Sequence, residues 1–243
     1  MTDERWTEES GIEARRGQPR VWPERLRWFA AEFLVVVSGV LVALALNAFY
    51  QGRVDAEREA GYLRQLDADL TESASALEEA LAANRAGKER VLDLLALFGT
   101  QEIPSEAEFR DFRTLSISPA QPTLSTAQAV VETGDLHLIR DDSVRSGIVQ
   151  YVGAGESYGE TQDAIAWEWL TPLIRDYYEI VRPGAGPAHP FATSPGEALA
   201  DESLYDIAFD LQLGYSNHIR AQEKMLIDVR RLQEQVARVI GSS

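Results

Sequence analysis

WFAAEFLVVVSGVLVALALNAFY, residues 28–50, is the stretch that decides how this chain of 243 residues is organised. At about 1.5 Å of rise per residue, a helix of this length covers the roughly 30 Å hydrocarbon core of a bilayer. Trp28 and Phe29 at one end, and Phe49 and Tyr50 at the other, stand where interfacial aromatic belts form. The stretch therefore predicts one transmembrane helix near the N-terminus.

Two features of this stretch favour other interpretations. Glu32 is charged, but it lies one turn from the N-terminal interface, where a carboxylate stays hydrated at moderate cost. Ala43-Leu44-Ala45 resembles a signal-peptidase site, but a cleaved signal would need an unusually long charged leader. A cleaved signal peptide and a buried helix of a soluble protein are the alternatives to a retained span.

Arginines on the two sides of the stretch predict its orientation. More of them precede it than follow it, and Lys and Arg resist translocation. We expect residues 1–27 to form a short cytoplasmic tail, 28–50 the span, and 51–243 one extracytoplasmic domain, periplasmic if the membrane is a bacterial inner membrane. The arginines are Arg15, Arg16, Arg20, Arg25 and Arg27 before the stretch, and Arg53, Arg58 and Arg64 after it.

Small and polar residues recur on one face of the predicted span. On a helix of about 3.6 residues per turn they lie within about 80° of one another. Small residues let helices approach closely in lipid, and polar side chains bond across such interfaces, although small residues are also common in spans without a specific contact. We interpret the stripe as a membrane association face formed by Glu32, Gly39, Ala43 and Asn47.

A heptad pattern follows the span. It predicts a long helix over residues 55–98 with a coiled-coil-like seam. One seam position is occupied by Leu63, Leu70, Leu77, Asn84, Val91 and Phe98, and the complementary one by Leu66, Ser73, Ala80, Gly87 and Leu94.

Proline and glycine then interrupt the pattern over residues 99–122. Ser105 and Glu108 have the spacing of a capping box, which predicts a short helix over 105–112. Another short helix is predicted over 125–131, with Gly134 as its C-terminal cap.

Two further long helices are predicted. Asp141 or Asp142 can begin the first, which Pro172 would kink, and a Pro- and Gly-rich loop over 182–196 would form a flexible tip. The seam of the first contains Val144, Ile148, Tyr151, Tyr158, Ile165 and Trp169. The seam of the last contains Leu204, Ala208, Leu211, Tyr215, His218, Gln222, Met225, Val229, Leu232, Val236 and Val239.

These patterns predict an all-α fold. One N-terminal transmembrane helix would be followed by an elongated antiparallel bundle of three long helices, with short helices between them. An intermolecular coiled coil through the first or the last long helix is the alternative.

Three polar residues interrupt the apolar seams: Asn84, His218 and Gln222. Such residues can form a hydrogen-bonded layer that fixes the register of the helices, or they can line a small ligand cavity. The layer is the commoner arrangement, and we predict a polar core layer here.

Composition excludes several classes of function. The formal net charge of −16 argues against nucleic-acid binding, which depends on Lys and Arg. The absence of cysteine excludes disulfides, thiolate metal sites and a cysteine nucleophile.

No catalytic or metal-binding motif is present. His137, His189 and His218 are far apart in the sequence, and no HExxH, EF-hand, GxSxG or phosphate-loop pattern occurs. Glu168 and Asp176, close to Trp167 and Trp169, are best interpreted as part of a solvated acidic face. We therefore predict a protein that is not an enzyme and needs no cofactor.

Two groups of residues form a further pattern: Glu32 to Leu44 with Asn47 and Arg53, then Pro122-Thr123-Leu124, Thr133-Gly134-Asp135-Leu136, Leu138-Ile139-Arg140-Asp141, Val144-Arg145 and Tyr151. Together they resemble a bacterial family of one-span membrane proteins of unknown function. The resemblance covers roughly residues 28–152, and Thr133-Gly134 stands where that family usually has Ser-Gly. It implies an inner-membrane location and a helical domain, and no activity.

Three functional hypotheses follow. The first is a membrane-anchored interaction or scaffold module whose partners are the lipid bilayer and either a second copy or another membrane protein. The second is a small-ligand sensor that signals through a partner, because the predicted cytoplasmic tail is too short for an output domain. The third, a hydrolase or metal enzyme, is disfavoured by the missing motifs.

Overall fold

The computed structural model describes residues 22–100, 102–182 and 193–242, and within them every regular element is helical. Arg15, Arg16, Arg20, His189 and most of the predicted loop lie outside the described residues. The α-helices are α1 (Trp22–Thr100), α2 (Glu106–Phe109), α3 (Ser125–Glu132), α4 (Asp142–Gln162), α5 (Thr171–Val181), α6 (Pro195–Leu199) and α7 (Glu202–Ser242). Two 3-10 helices (Arg110–Arg113 and Asp135–Leu138) and a π-helix (Asp163–Leu170) complete the fold.

The chain divides into two compact units, Met1–Val54 and Asp55–Ser243, and α1 contributes residues to both. In the first unit, α1 contains an apolar stretch near the N-terminus that is long enough to cross a membrane. Its mean hydropathy is 2.5, and none of it is buried within the structure. The prediction of one long apolar helix near the N-terminus is confirmed.

In the second unit, α1 and α7 run in opposite directions. Arg85 pairs with Glu223 at 2.6 Å, and Glu78 pairs with Arg230 at 2.6 Å. The earlier residue of α1 thus contacts the later residue of α7, as antiparallel helices require. The seam of α1 is buried from Leu63 to Leu94, while Phe98 is half-buried.

The seam of α7 is buried at all predicted positions from Leu204 to Val236. Val239, near the end of the helix, is half-buried. Both seams follow the alternating three- and four-residue spacing because only that spacing keeps side chains on one face of an α-helix.

Apolar residues form two separate clusters in the second unit. Along α7, the first cluster contains Met225 to Val236, and the second contains Leu204 to Tyr215. Along α1, the order is reversed, because the helices are antiparallel: residues 63–80 belong to the first cluster, and Val91 and Leu94 to the second. The predicted polar residues lie between the clusters.

The π-helix shifts the seam that follows Tyr158. The sequence pattern placed Ile165 and Trp169 in the core, but both are half-buried, whereas Ala166 and Leu170 are buried. A π-helix bonds residue i to i+5 and so contains more residues per turn than an α-helix. The inward face therefore recurs every four residues here, and the predicted positions were wrong by one residue.

Pro172 is the second residue of α5, directly after this π-helix. Its ring nitrogen carries no hydrogen, so the carbonyl one turn earlier has no backbone donor from that residue. In the π-helix before it, the Ala166 carbonyl accepts from Thr171 twice, from its N–H and from its hydroxyl, the latter at 2.7 Å. A π-helix, which the sequence pattern did not predict, thus precedes Pro172, and α5 continues through this residue to Val181.

The predicted helix caps are confirmed. Ser105 and Glu108 form a reciprocal capping box, and the Asp141 carboxylate accepts from the N–H groups of Ser143 and Val144. Gly134 has a φ of 77°, in the left-handed region that glycine adopts without strain.

The loop prediction for 182–196 was wrong at its end. Pro195 begins α6, and Ser194 caps it through a second capping box with Glu197. Proline suits the first turn of a helix because its missing N–H would have no partner there.

Candidate functional site

Asn84, His218 and Gln222 meet at the backbone of Ser118, and all three side chains are completely buried. The Asn84 amide donates to the Ser118 carbonyl at 2.8 Å and to Gln222 Oε1 at 3.0 Å, and its oxygen accepts from the Ser118 N–H at 2.9 Å. Gln222 Nε2 donates to the same carbonyl at 3.1 Å. The structure thus brings all three predicted residues together around one peptide.

His218 completes this layer. Its Nε2 lies 3.4 Å from the Ser118 carbonyl, to which it donates when it carries the hydrogen. Burial lowers the pKa of His218, and the bond to Ser118 opposes that shift only in part. The imidazole is therefore neutral at neutral pH, which suits a packed layer better than a proton-transfer role.

Gln162 was missed by the sequence analysis. It is 2% exposed and lies on α4 between Tyr158, in the first apolar cluster, and Leu170, in the second. Neither of its amide atoms has a hydrogen-bond partner among the described residues. The predicted seam goes from Tyr158 directly to Ile165 and so omits Gln162. A spacing of four residues after Tyr158 would have included it.

Residues 114–124, which we call the strap, connect the 3-10 helix Arg110–Arg113 to α3 without forming helix or strand. An irregular segment has no internal partners for its carbonyl groups, so burial requires donors from elsewhere. Tyrosine hydroxyls from the helices supply them along the strap and just before it. The bonds are Tyr177 to Phe112 O at 2.7 Å, Tyr178 to Leu115 O at 2.5 Å, Tyr215 to Ser116 O at 2.9 Å, Tyr158 to Ala120 O at 2.9 Å and Tyr151 to Thr123 O at 3.2 Å.

Burial raises the pKa of these tyrosines. That of Tyr215 rises to about 12, and those of Tyr158 and Tyr177 rise further. Each hydroxyl is therefore protonated at physiological pH and able to donate, as its bond to the strap requires.

The four residues of the predicted association face are all exposed on α1. A Cβ atom added to Gly39 would have no neighbouring atom within 4 Å. The predicted stripe is therefore an exposed surface of α1.

The other candidate residues are not brought together into a site. His137 is exposed and lies 2.8 Å from the Gly134 carbonyl, Glu168 is exposed, and Asp176 pairs with Arg175 at 3.0 Å. Among the residues that the structure describes, no group of three His, Cys, Asp or Glu side chains could hold a metal ion.

A groove of about 400 Å³ lies between α4 with the start of the π-helix on one side and α7 on the other. Ser157, Thr161 and Ile165 line the first side. Arg220 and Lys224 line the second, one helical turn apart. No pattern in the sequence indicates this groove, because only Tyr158, Ile165 and Met225 of its lining are seam residues and the others lie beside the seams of two separate helices.

No protein-family model, curated protein or solved structure matches this chain.

Proposed function

We propose that this protein is a non-enzymatic interaction module that is anchored in a membrane by residues 28–50. The observation that carries the proposal is the apolar stretch of α1, none of which is buried. Phe33 and Phe49, for example, are 72% and 73% exposed. A continuous apolar surface of this size is unstable in water, and a bilayer is the surrounding that its length and composition fit.

The proposed topology places the N-terminus in the cytoplasm and the helical domain outside it, in the periplasm of a bacterial inner membrane. Support comes from the excess of arginines before the span and from the family resemblance. Protease added to spheroplasts tests it: the domain should be degraded while a cytoplasmic control protein survives. If the domain is protected until the cells are lysed, the orientation is reversed; if the protein is found in the soluble fraction, the anchor is wrong.

The stripe of Glu32, Gly39, Ala43 and Asn47 is the proposed association face, and a second copy or another membrane protein is the proposed partner. The chain contains no cysteine, so single cysteines can report contacts without further changes. Gly39→Cys lies on the stripe, and Leu41→Cys, which is also exposed, serves as the matched control on a different face.

Oxidation in native membranes should crosslink Gly39→Cys and leave Leu41→Cys uncrosslinked. A product of twice the monomer mass indicates self-association, and a product of another mass identifies a different partner. If neither variant crosslinks, or both do so equally, the stripe is not the association face.

For the domain, we propose that α1, the segment from α4 to α5, and α7 form an antiparallel bundle that the strap locks in one register. The pairing of α1 with α7 and the burial of the seams support it. A single register would give partners a rigid surface to recognise.

The groove beside α7 favours a second candidate function, small-ligand sensing through a partner membrane protein. Its volume of about 400 Å³ falls within the usual range for small-molecule sites.

A further inference from the structure

We propose that the groove between α4 and α7 binds a small organic anion with an apolar body, such as an aromatic carboxylate. This inference rests on the second proposed function, for which it names the ligand class. It does not depend on whether the membrane association face binds a partner.

The groove carries a local excess of positive charge. Arg220 and Lys224 both line it, four residues apart on one face of α7. Asp228 lines it too, but its carboxylate pairs with Arg231 at 3.2 Å. The guanidinium of Arg220 donates to the amide oxygen of Asn217, a neutral partner, at 3.3 Å. Two cations thus face the groove with one carboxylate that is already paired.

This local excess of positive charge contrasts with the rest of the protein. The chain carries 39 Asp and Glu residues against 23 Lys and Arg, for a net charge of −16. A field of that sign repels anions from most of the surface, whereas a cleft lined by cations attracts them. Among the described residues, the groove is therefore a favourable place for an anionic group.

The remaining lining explains why the ligand should be a small organic molecule. Ile165, Ala221 and Met225 provide apolar contacts, and Ser157 provides a hydroxyl opposite the cations. The Thr161 hydroxyl also lines the groove, but its hydrogen is donated to the Ser157 carbonyl at 2.8 Å. Small-molecule sites combine a mostly apolar lining with a few polar groups that fix orientation. An anionic group would face Arg220 and Lys224 while an apolar body packs on Ile165 and Met225.

The groove adjoins the polar layer. Tyr158 lines the groove and donates to the strap at Ala120, and Ala221 and Thr161 precede Gln222 and Gln162 directly in the chain. The π-helix begins at Asp163, immediately after Gln162, and such segments occur frequently at functional sites. A ligand in the groove would therefore contact the elements that hold the two halves of the core in register.

The test is equilibrium dialysis of 2-naphthoate and of its neutral analogue 2-naphthamide against the full chain in lipid nanodiscs, with empty nanodiscs as the blank. Naphthoate should bind more tightly than naphthamide. The double variant Arg220→Glu/Lys224→Glu should weaken naphthoate binding about tenfold or more, because charge-assisted bonds are replaced by repulsion. Arg238→Glu, a single exposed charge reversal elsewhere on α7, should leave binding unchanged.

Ala221→Leu adds bulk inside the groove without changing charge, and it should weaken binding of both compounds. Circular dichroism of each variant must match the parent chain. If naphthoate and naphthamide bind equally, the anion assignment is wrong while the groove remains a ligand site. If neither binds beyond the blank, the ligand-sensing function fails with it. If naphthoate binds but the double variant does not weaken it, the site lies elsewhere and the inference is overturned.

Discussion

Replacing Asn84 by alanine should destabilise the domain far more than replacing its neighbour Arg85. The side chain makes three hydrogen bonds, two to Ser118 and one to Gln222, and it is completely buried. Asn84→Ala leaves the Ser118 N–H and Gln222 Oε1 without a partner, whereas the Ser118 carbonyl keeps the donor from Gln222.

An unpaired buried polar group costs about 1–3 kcal/mol, so two of them cost about 2–4 kcal/mol once the partial exposure of Ser118 is allowed for. For a chain of this size, that corresponds to a fall in melting temperature of about 10 °C. Arg85→Ala is the matched control. It is the next residue in α1, and it pairs with Glu223, the residue after Gln222. Both side chains of that pair are about half exposed, so its loss should cost no more than about 1 kcal/mol.

The assay is urea unfolding of the full chain in detergent micelles, followed by circular dichroism. The double variant Asn84→Ala/Gln222→Ala should cost less than the sum of the two single variants, because Gln222 Oε1 is then no longer left unpaired. If Asn84→Ala destabilises no more than Arg85→Ala, or if the double variant is additive, Asn84 does not hold the layer through these hydrogen bonds.

Three other substitutions probe the same core. Gly87→Ala should destabilise by about 1–3 kcal/mol because its Cβ would lie 2.9 Å from the buried Tyr215 ring, whereas Gly153→Ala, which meets nothing within 4 Å, should be neutral or stabilising in thermal unfolding. Tyr215→Phe should cost about 1 kcal/mol at neutral pH because the Ser116 carbonyl loses its donor. The folded-state pKa of Tyr215 is about 12, above the unfolded value of 10.0. The contribution of this hydroxyl to the free energy of unfolding is therefore full below pH 10 and is lost as pH rises towards 12. In urea titrations across that range, Tyr215→Phe should lose less stability than the parent chain. Gln162→Met should leave stability unchanged or raise it by about 1 kcal/mol, because it removes a buried amide that has no partner among the described residues.

Each of these has an outcome that would contradict it. Equal effects of the two glycine substitutions would mean that Tyr215 moves freely. A pH dependence unchanged in Tyr215→Phe would assign the alkaline transition to other tyrosines. If Gln162→Met lowers the free energy of unfolding by more than about 1 kcal/mol, the amide makes a stabilising hydrogen bond.

The seams of α1 and α7 could be predicted from the sequence because both helices are regular. Every third or fourth residue returns to the same face, so Leu63 to Leu94 and Leu204 to Val236 could be identified from spacing alone. The caps at Ser105 and Asp141 were equally accessible, because their signals lie within four residues of chain.

The part that could not be predicted depends on tertiary contacts. The π-helix is one such case: Ile165 and Trp169 fit an α-helical pattern, and only the packing of Ala166 and Leu170 against neighbouring elements reveals the wider turn. The groove is another, since Arg220 and Lys224 lie on α7 while Ser157 and Thr161 lie on α4. No pattern along the chain brings those two pairs together.

The strap explains why polar residues occupy these seams at all. A fourth helix in its place would satisfy its own backbone, and the seams could then be wholly apolar. Residues 114–124 instead need donors from the surrounding helices, and every second carbonyl from Ser116 to Ala120 receives one, at the spacing of an extended chain. Asn84, which also accepts from the Ser118 N–H, can satisfy that peptide in one register only. The polar layer therefore serves to hold the strap, and its hydrogen bonds leave the groove beside it as the better candidate for a ligand.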